Sequence, residues 1–244
     1  MRATDASRAV AVHETLAAAA AAAAREIVDV AREAVERRGR FVIALAGGET
    51  PRPLYTQLAS EYRDALRWDR AEVCFGDERC VPPDDPASNY ALVESTLLGH
   101  VPVAADRVHR IAGELGPDRA APDYDARLRR VLSDDADGPT FDVALLGVGT
   151  DGHTASLFPR DSALAETERW AAPALAPPGT EVRERVTVTL PVLNRARVVL
   201  FLCAGSQKRD VVARILSGAA PQLPAARVYG VERTRWLLDR AAGG

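Results

Sequence analysis

Lysine is almost missing from this chain of 244 residues: Lys208 is the only one, and the other 30 of its 31 basic side chains are arginine. A lone lysine in so arginine-rich a sequence is a candidate for a specific role. Neither sign of charge dominates, since 34 acidic residues leave a formal net charge of −3. That balance provides no global basic field and argues against a nucleic-acid partner. Cysteine is scarce. Cys74, Cys80 and Cys203 are odd in number and form no C-x-x-C pair, which excludes a disulfide framework and points to a reducing, cytoplasmic setting. They are read as core residues. The four histidines, His13, His100, His109 and His153, show no metal-ligand spacing, so no metal is expected. His13 is assigned to an alanine-rich helix, and His100 and His109 flank apparent surface turns. Long apolar runs are lacking too. Ala17–Ala24 is bounded by Glu14, Arg25, Glu26 and Asp29, too short to span a bilayer, so no membrane association is expected.

What is present is a globular composition, 47% hydrophobic and 27% charged, enough for one large core. A single domain over residues 1–244 is expected, as a monomer or weak homodimer. A helix from about residue 7 to 38 ends at Gly39. Apolar runs at 41–46, 72–75, 141–146 and 197–203 read as buried strands, and 107–111 and 185–190 as further strands. Thr50-Pro51 opens a helix through about Leu66, Ser88 caps one through Leu98, and others cover 118–132 and 206–216. Pro173 to Gly179 reads as a surface loop. Strands alternating with helices give an α/β fold with a mostly parallel sheet and helices on both faces. Ligands of such sheets bind at the carboxyl ends of the strands.

Those ends carry unusual chemistry. Gly47-Gly48-Glu49-Thr50-Pro51 joins strand to helix, where two glycines admit close approach of an anion to backbone amides. An ordinary capped turn fits the same residues. Asp77-Glu78-Arg79 offers two carboxylates and a guanidinium for substrate hydroxyls or an anion, or else a local salt bridge. Gly147-Val-Gly149-Thr-Asp-Gly152 matches G-x-G-x-x-G, but Pro159 interrupts the segment after the glycines and no apolar strand precedes Glu166 or Glu168. A nicotinamide site is therefore set aside, and no cofactor is expected. His153 beside Asp151 suits a general base with an orienting carboxylate, against the plainer role of a helix cap. Arg185 near a strand start and Lys208 after Gly205-Ser-Gln are candidate anion ligands, against the plainer role of solvated charges.

Taken together, these residues resemble a known family. Gly47-Gly-x-Thr-Pro51, Asp77-Glu-Arg-x-Val-Pro82 with Ser88-Asn89, and Leu146-Gly-Val-Gly-Thr-Asp-Gly-His-Thr-Ala-Ser-Leu-Phe-Pro159 occur in its order. Arg185-Val-Thr to Leu193-Asn194, Gly205-x-x-Lys208, Leu223-Pro224 and Trp236-Leu-Leu-Asp239 complete the pattern. The chain is similar to the 6-phosphogluconolactonases over nearly its whole length. The resemblance implies a modified Rossmann-like fold and hydrolysis of a phosphosugar lactone without metal or nicotinamide. It implies His153 as general base and acid, with Asp151, Asp77 and Arg79 as its catalytic company. Gly47, Gly48, Thr50, Gly149, Arg185 and Lys208 would bind substrate and phosphate. Glu49 stands where many members carry serine, so backbone contacts are expected there. The related glucosamine-6-phosphate deaminases have, after Asp-Gly-His, a stretch that brings in a catalytic glutamate. Thr154–Pro159 has no acidic residue, which favours the lactonase over the deaminase. A non-catalytic phosphosugar-binding protein is the remaining alternative.

Overall fold

The computed structural model describes residues 8–132 and 140–244. The chain runs through β1 (Arg8–His13), α1 (Leu16–Arg38), β2 (Phe41–Leu45), α2 (Arg52–Ala59), β3 (Ala71–Phe75), β4 (Asp77–Arg79) and α3 (Asn89–Thr96). It continues with β5 (Val108–His109), α4 (Pro117–Leu132), β6 (Val143–Leu146), β7 (Ala171–Leu175), β8 (Glu184–Val188) and α5 (Leu190–Leu193). The last elements are β9 (Val198–Cys203), α6 (Arg209–Leu216), β10 (Arg233–Asp239) and α7 (Arg240–Gly243).

Seven strands form one sheet in the order β1-β10-β9-β6-β2-β3-β5, with every neighbouring pair parallel. Every residue of β2, β6 and β9 is buried. Strands covered on both faces have no solvent side, so their sequences are unbroken apolar runs. Against one face lies α1, whose Ala19, Ala20, Ala23 and Ala24 are fully buried; side chains this small let the helix sit close to β2, β9 and β10. Thr15 starts it, its hydroxyl accepting from the Ala18 amide at 3.2 Å. Gly39 stops it at φ 75°, where its N–H reaches the Val35 carbonyl.

The helix expected from residue 7 therefore begins nine residues later. Arg8–His13 is instead an edge strand paired with β10 in register from Arg8↔Thr234 to His13↔Asp239, and His13 belongs to it. His109 lies on β5, inside the strand expected at 107–111, and is buried there rather than at the surface, with Nε2 2.7 Å from Glu72 Oε2. The helix opened by Pro51 is shorter than expected, and residues 206–208 form a 3-10 turn before α6. Among the described residues, no helix is long and apolar enough to cross a membrane.

A second, antiparallel sheet, β4-β8-β7, was not foreseen. Asp77–Arg79 read as a turn because three residues carry no periodicity. They become a strand because β8 supplies a partner, in register Asp77↔Thr187, Glu78↔Val186 and Arg79↔Arg185. Pro173–Leu175, read as loop, belongs to β7, an edge strand of this sheet where proline's missing N–H is tolerated. α4 packs on β7 and β8, and its Tyr124 hydroxyl bonds both the amide and the carbonyl of Phe75 at 2.9 Å. The end of β3 is thereby fixed where the chain turns into β4.

Candidate active site

The carboxyl ends of β2, β3, β6 and β9 open onto one cavity of about 230 Å³. Gly47, Gly48 and Thr50 reach it from β2, Asp77 and Arg79 from β3 through β4, and Gly149 and His153 from β6. Lys208 reaches it from β9 and Arg185 from β8. Asp151 stands outside the lining but behind His153.

His153 Nδ1 lies 2.6 Å from Asp151 Oδ1, which also accepts the His153 backbone N–H at 3.1 Å. Pairing at Nδ1 leaves Nε2 as the nitrogen for the cavity. The pair fits because residue 149 is glycine: a β-carbon there would lie 2.1 Å from Nδ1. The turn is closed by Gly149 N–H to His153 O at 2.8 Å and by Gly152 at φ 85°. Partial burial works against ionisation of Asp151, but its bonds to His153 outweigh it and hold the carboxyl below the ordinary aspartate range. The Phe158 ring tilts against the imidazole with centroids 4.7 Å apart. Residues 154–157 form a tight turn, Leu157 N–H to Thr154 O at 2.9 Å, where a nucleotide-binding fold needs a helix.

Asp77 accepts from Ser156 Oγ at 2.6 Å and from Asn89 Nδ2 at 3.1 Å. Its neighbour Glu78 faces the opposite way and takes no part in the cavity. The Glu78 carboxylate accepts from the amides of Arg79, Asn89 and Tyr90 at 2.7–2.8 Å and so caps α3. Burial raises its carboxyl above the ordinary range despite these bonds.

Arg79 and Arg185 stand directly opposite each other in register. Arg79 Nη1 is tied to the Ala87 carbonyl. Arg185 is buried, and its Nε has no protein partner among the described residues. Burial, and next the Arg79 charge, push its guanidinium below its ordinary range. Two facing cations with an unmet donor suit an anion, which would relieve both penalties. Gly48 at φ 83° turns the backbone into the same cavity. Glu49 points away, held by Arg52 Nε at 2.8 Å and Nη2 at 3.0 Å.

Asn89, Ser156, Thr180 and Cys203 also line the cavity and were not among the expected site residues. Asn89 and Ser156 lie inside the quoted motifs, so a signal existed. Thr180 comes from the β7–β8 loop, where no pattern marked it. Burial pushes the Cys203 thiol up to about 12, so it stays protonated at neutral pH. Among the described residues, no three or more His, Cys, Asp or Glu side chains cluster as a metal site.

A family model described as glucosamine-6-phosphate isomerases/6-phosphogluconolactonase matches residues 14–236. A 6-phosphogluconolactonase of Streptomyces coelicolor is 40% identical over 240 residues, 95% of this chain and 92% of its own. One of Nostoc sp. is 37% identical over 214 residues, 86% of each chain. The solved structure of 6-phosphogluconolactonase from Trypanosoma brucei matches with a TM-score of 0.85 at 30% identity, over 96% of this chain and 97% of its own.

Proposed function

We propose that this chain, which belongs to the glucosamine-6-phosphate isomerase and 6-phosphogluconolactonase family, opens its lactone by general-base catalysis at His153. The enzyme is a lactone hydrolase, converting 6-phospho-D-glucono-1,5-lactone to 6-phospho-D-gluconate in the oxidative pentose phosphate pathway.

In this reading His153 Nε2 takes a proton from water as the oxygen attacks the lactone carbonyl. Asp151 at Nδ1 keeps the ring oriented and stabilises the imidazolium that forms. The tetrahedral oxyanion collapses with cleavage of the bond to the ring oxygen, and the imidazolium returns its proton to that oxygen. Arg79 lies where it can stabilise the oxyanion or join the phosphate site. The phosphate is assigned to the Gly47-Gly48 backbone, Thr50, Arg185 and Lys208, which hold the sugar over His153. Gly149 makes room for the His153–Asp151 pair, and Asp77 takes a sugar hydroxyl.

The observation that carries this reading is the 2.6 Å contact between His153 Nδ1 and Asp151 beside the Arg79–Arg185 pair. A phosphate cradle alone would serve a passive binder, whereas an oriented imidazole serves proton transfer. The deaminase reading lacks its carboxylate, since residues 154–159 hold none. The three free cysteines fit a cytoplasmic setting.

The test compares freshly generated 6-phosphogluconolactone with unphosphorylated gluconolactone, spontaneous rates subtracted. The reading expects a kcat/KM roughly 100-fold or more higher for the phosphorylated lactone, the worth of one or two charge-assisted bonds to phosphate. It also expects no ammonia from glucosamine 6-phosphate. Equal rates on both lactones, or ammonia release, would contradict it.

A further inference from the structure

Asp77 is clamped from two sides by residues that no step above requires. Its Oδ2 accepts from Ser156 Oγ at 2.6 Å, and its Oδ1 from Asn89 Nδ2 at 3.1 Å. The same Asn89 amide nitrogen also donates to the Asp77 carbonyl at 2.9 Å. Both donors are about 1% exposed, yet both line the cavity.

We propose that Ser156 and Asn89 are positioning residues that fix the Asp77 carboxylate, so that its remaining lone pairs face the substrate's hydroxyls. The inference rests on the lactonase reading and gives Asp77 its role within it.

Each clamp is itself immobilised. Asn89 is the first residue of α3, whose N-terminal amides are bolted to β4 through Glu78. Its Oδ1 has no hydrogen-bond partner among the described residues and is wedged against Gly47, where a β-carbon would lie 1.8 Å away. Turning the amide over would set its oxygen against two acceptor oxygens of Asp77, so the NH2 group stays on Asp77.

Ser156 is held by its own amide, which donates to Thr187 Oγ1 at 3.2 Å, and Thr187 is the residue opposite Asp77 in the β4–β8 register. The turn that delivers it is strained: Ala155 sits in the left-handed region at φ 47°. An L-residue meets a steric penalty there, with its β-carbon crowded against the following carbonyl oxygen. Thr154 Oγ1 to Gly147 O at 2.8 Å anchors one side of the turn, and fully buried Leu157 the other. His153 immediately precedes this turn and Ser156 lies within it, so one rigid turn registers the general base against the second carboxylate. Strain maintained between two site residues is the pattern expected of a turn kept for function.

The experiment is a double-mutant cycle of Ser156→Ala and Asp77→Asn, read as kcat/KM on freshly generated lactone and as calorimetric affinity for 6-phosphogluconate. A hydrogen bond to a charged group predicts a loss of about 10- to 100-fold for Ser156→Ala in the native background. In the Asp77→Asn background the same change costs less than about threefold, because Ser156 acts through Asp77. Ser156→Cys, close in shape with a weaker donor, carries the cycle if the alanine variant does not fold. Equal losses in both backgrounds, or a single variant within twofold of the native enzyme, would overturn the proposal. A native enzyme that does not accelerate hydrolysis would overturn the lactonase reading instead, and the affinity arm then judges the clamp on its own.

Discussion

Gly149→Ala is the substitution whose consequence the geometry dictates most directly. A β-carbon at residue 149 would lie 2.1 Å from His153 Nδ1, 2.2 Å from Cε1 and 2.7 Å from Asp151 Oδ1. Gly149 is not in the left-handed region, so the backbone accepts alanine and the effect is steric alone. Ordinary contact begins near 3.4 Å, so the imidazole must retreat by about 1.3 Å, and a misplacement on the order of 1 Å costs roughly 100-fold in rate. The expected result is a kcat lowered about 100-fold with KM within about threefold, because the groups assigned to the phosphate sit on other strand ends. Proton release on ring opening, followed in weak buffer, measures both constants. Gly147→Ala is the internal comparison: its β-carbon meets nothing within 4 Å among the described residues, and the His153 ring resonances should stay where they are. A Gly149→Ala enzyme with kcat within twofold of native, and the His153–Asp151 contact intact in its crystal structure, would show that the imidazole is not displaced by a β-carbon at 149.

Lys208→Ala should raise KM about 10-fold or more with little change in kcat, the worth of one charge-assisted bond to phosphate; an unchanged saturation curve would remove Lys208 from the site. Glu49→Ala should leave KM unchanged, since Glu49 is turned outward onto Arg52; a tenfold fall in KM would mean that its charge opposes the phosphate. Glu166 accepts the amides of Glu168, Arg169 and Thr167 at 2.8–3.1 Å, with the Arg169 guanidinium, and these bonds, against a small cost of burial, bring its carboxyl down from 4.5 to about 2. A depressed carboxyl stabilises the fold fully above about 4.5, and that stabilisation is lost as pH falls through about 2. Glu166→Gln should therefore lower the melting temperature at pH 7, by a margin that closes toward pH 2; equal midpoints at pH 7 would contradict this.

The central strands were legible because burial on both faces leaves an unambiguous mark, an apolar run such as Val198–Cys203. β1 was not, since its alternation in Arg8–His13 is short and abuts the alanine run. Its strand character comes from β10, more than 200 residues away. β4 illustrates the same limit: Asp77–Arg79 is a strand only because β8 returns to pair with it, and no local pattern encodes a partner. The site was legible to the extent that chemistry sits in compact motifs. Asp151-Gly-His153 announced the pair because both members lie in one turn, and Lys208 stood out because it is the only lysine. The opposition of Arg79 and Arg185 is a fact of sheet register. The outward turn of Glu49, the capping role of Glu78 and the clamps on Asp77 each depend on where a distant segment comes to rest.

The general-base role of His153 is put to the test by hydrolysis of freshly generated 6-phosphogluconolactone by the native enzyme and by His153→Ala, with the spontaneous rate subtracted. That role predicts rapid opening by the native chain and a kcat about 10²- to 10⁴-fold lower in the variant, with 6-phosphogluconate still bound at near-native affinity. A His153→Ala enzyme that turns over at the native rate would contradict it.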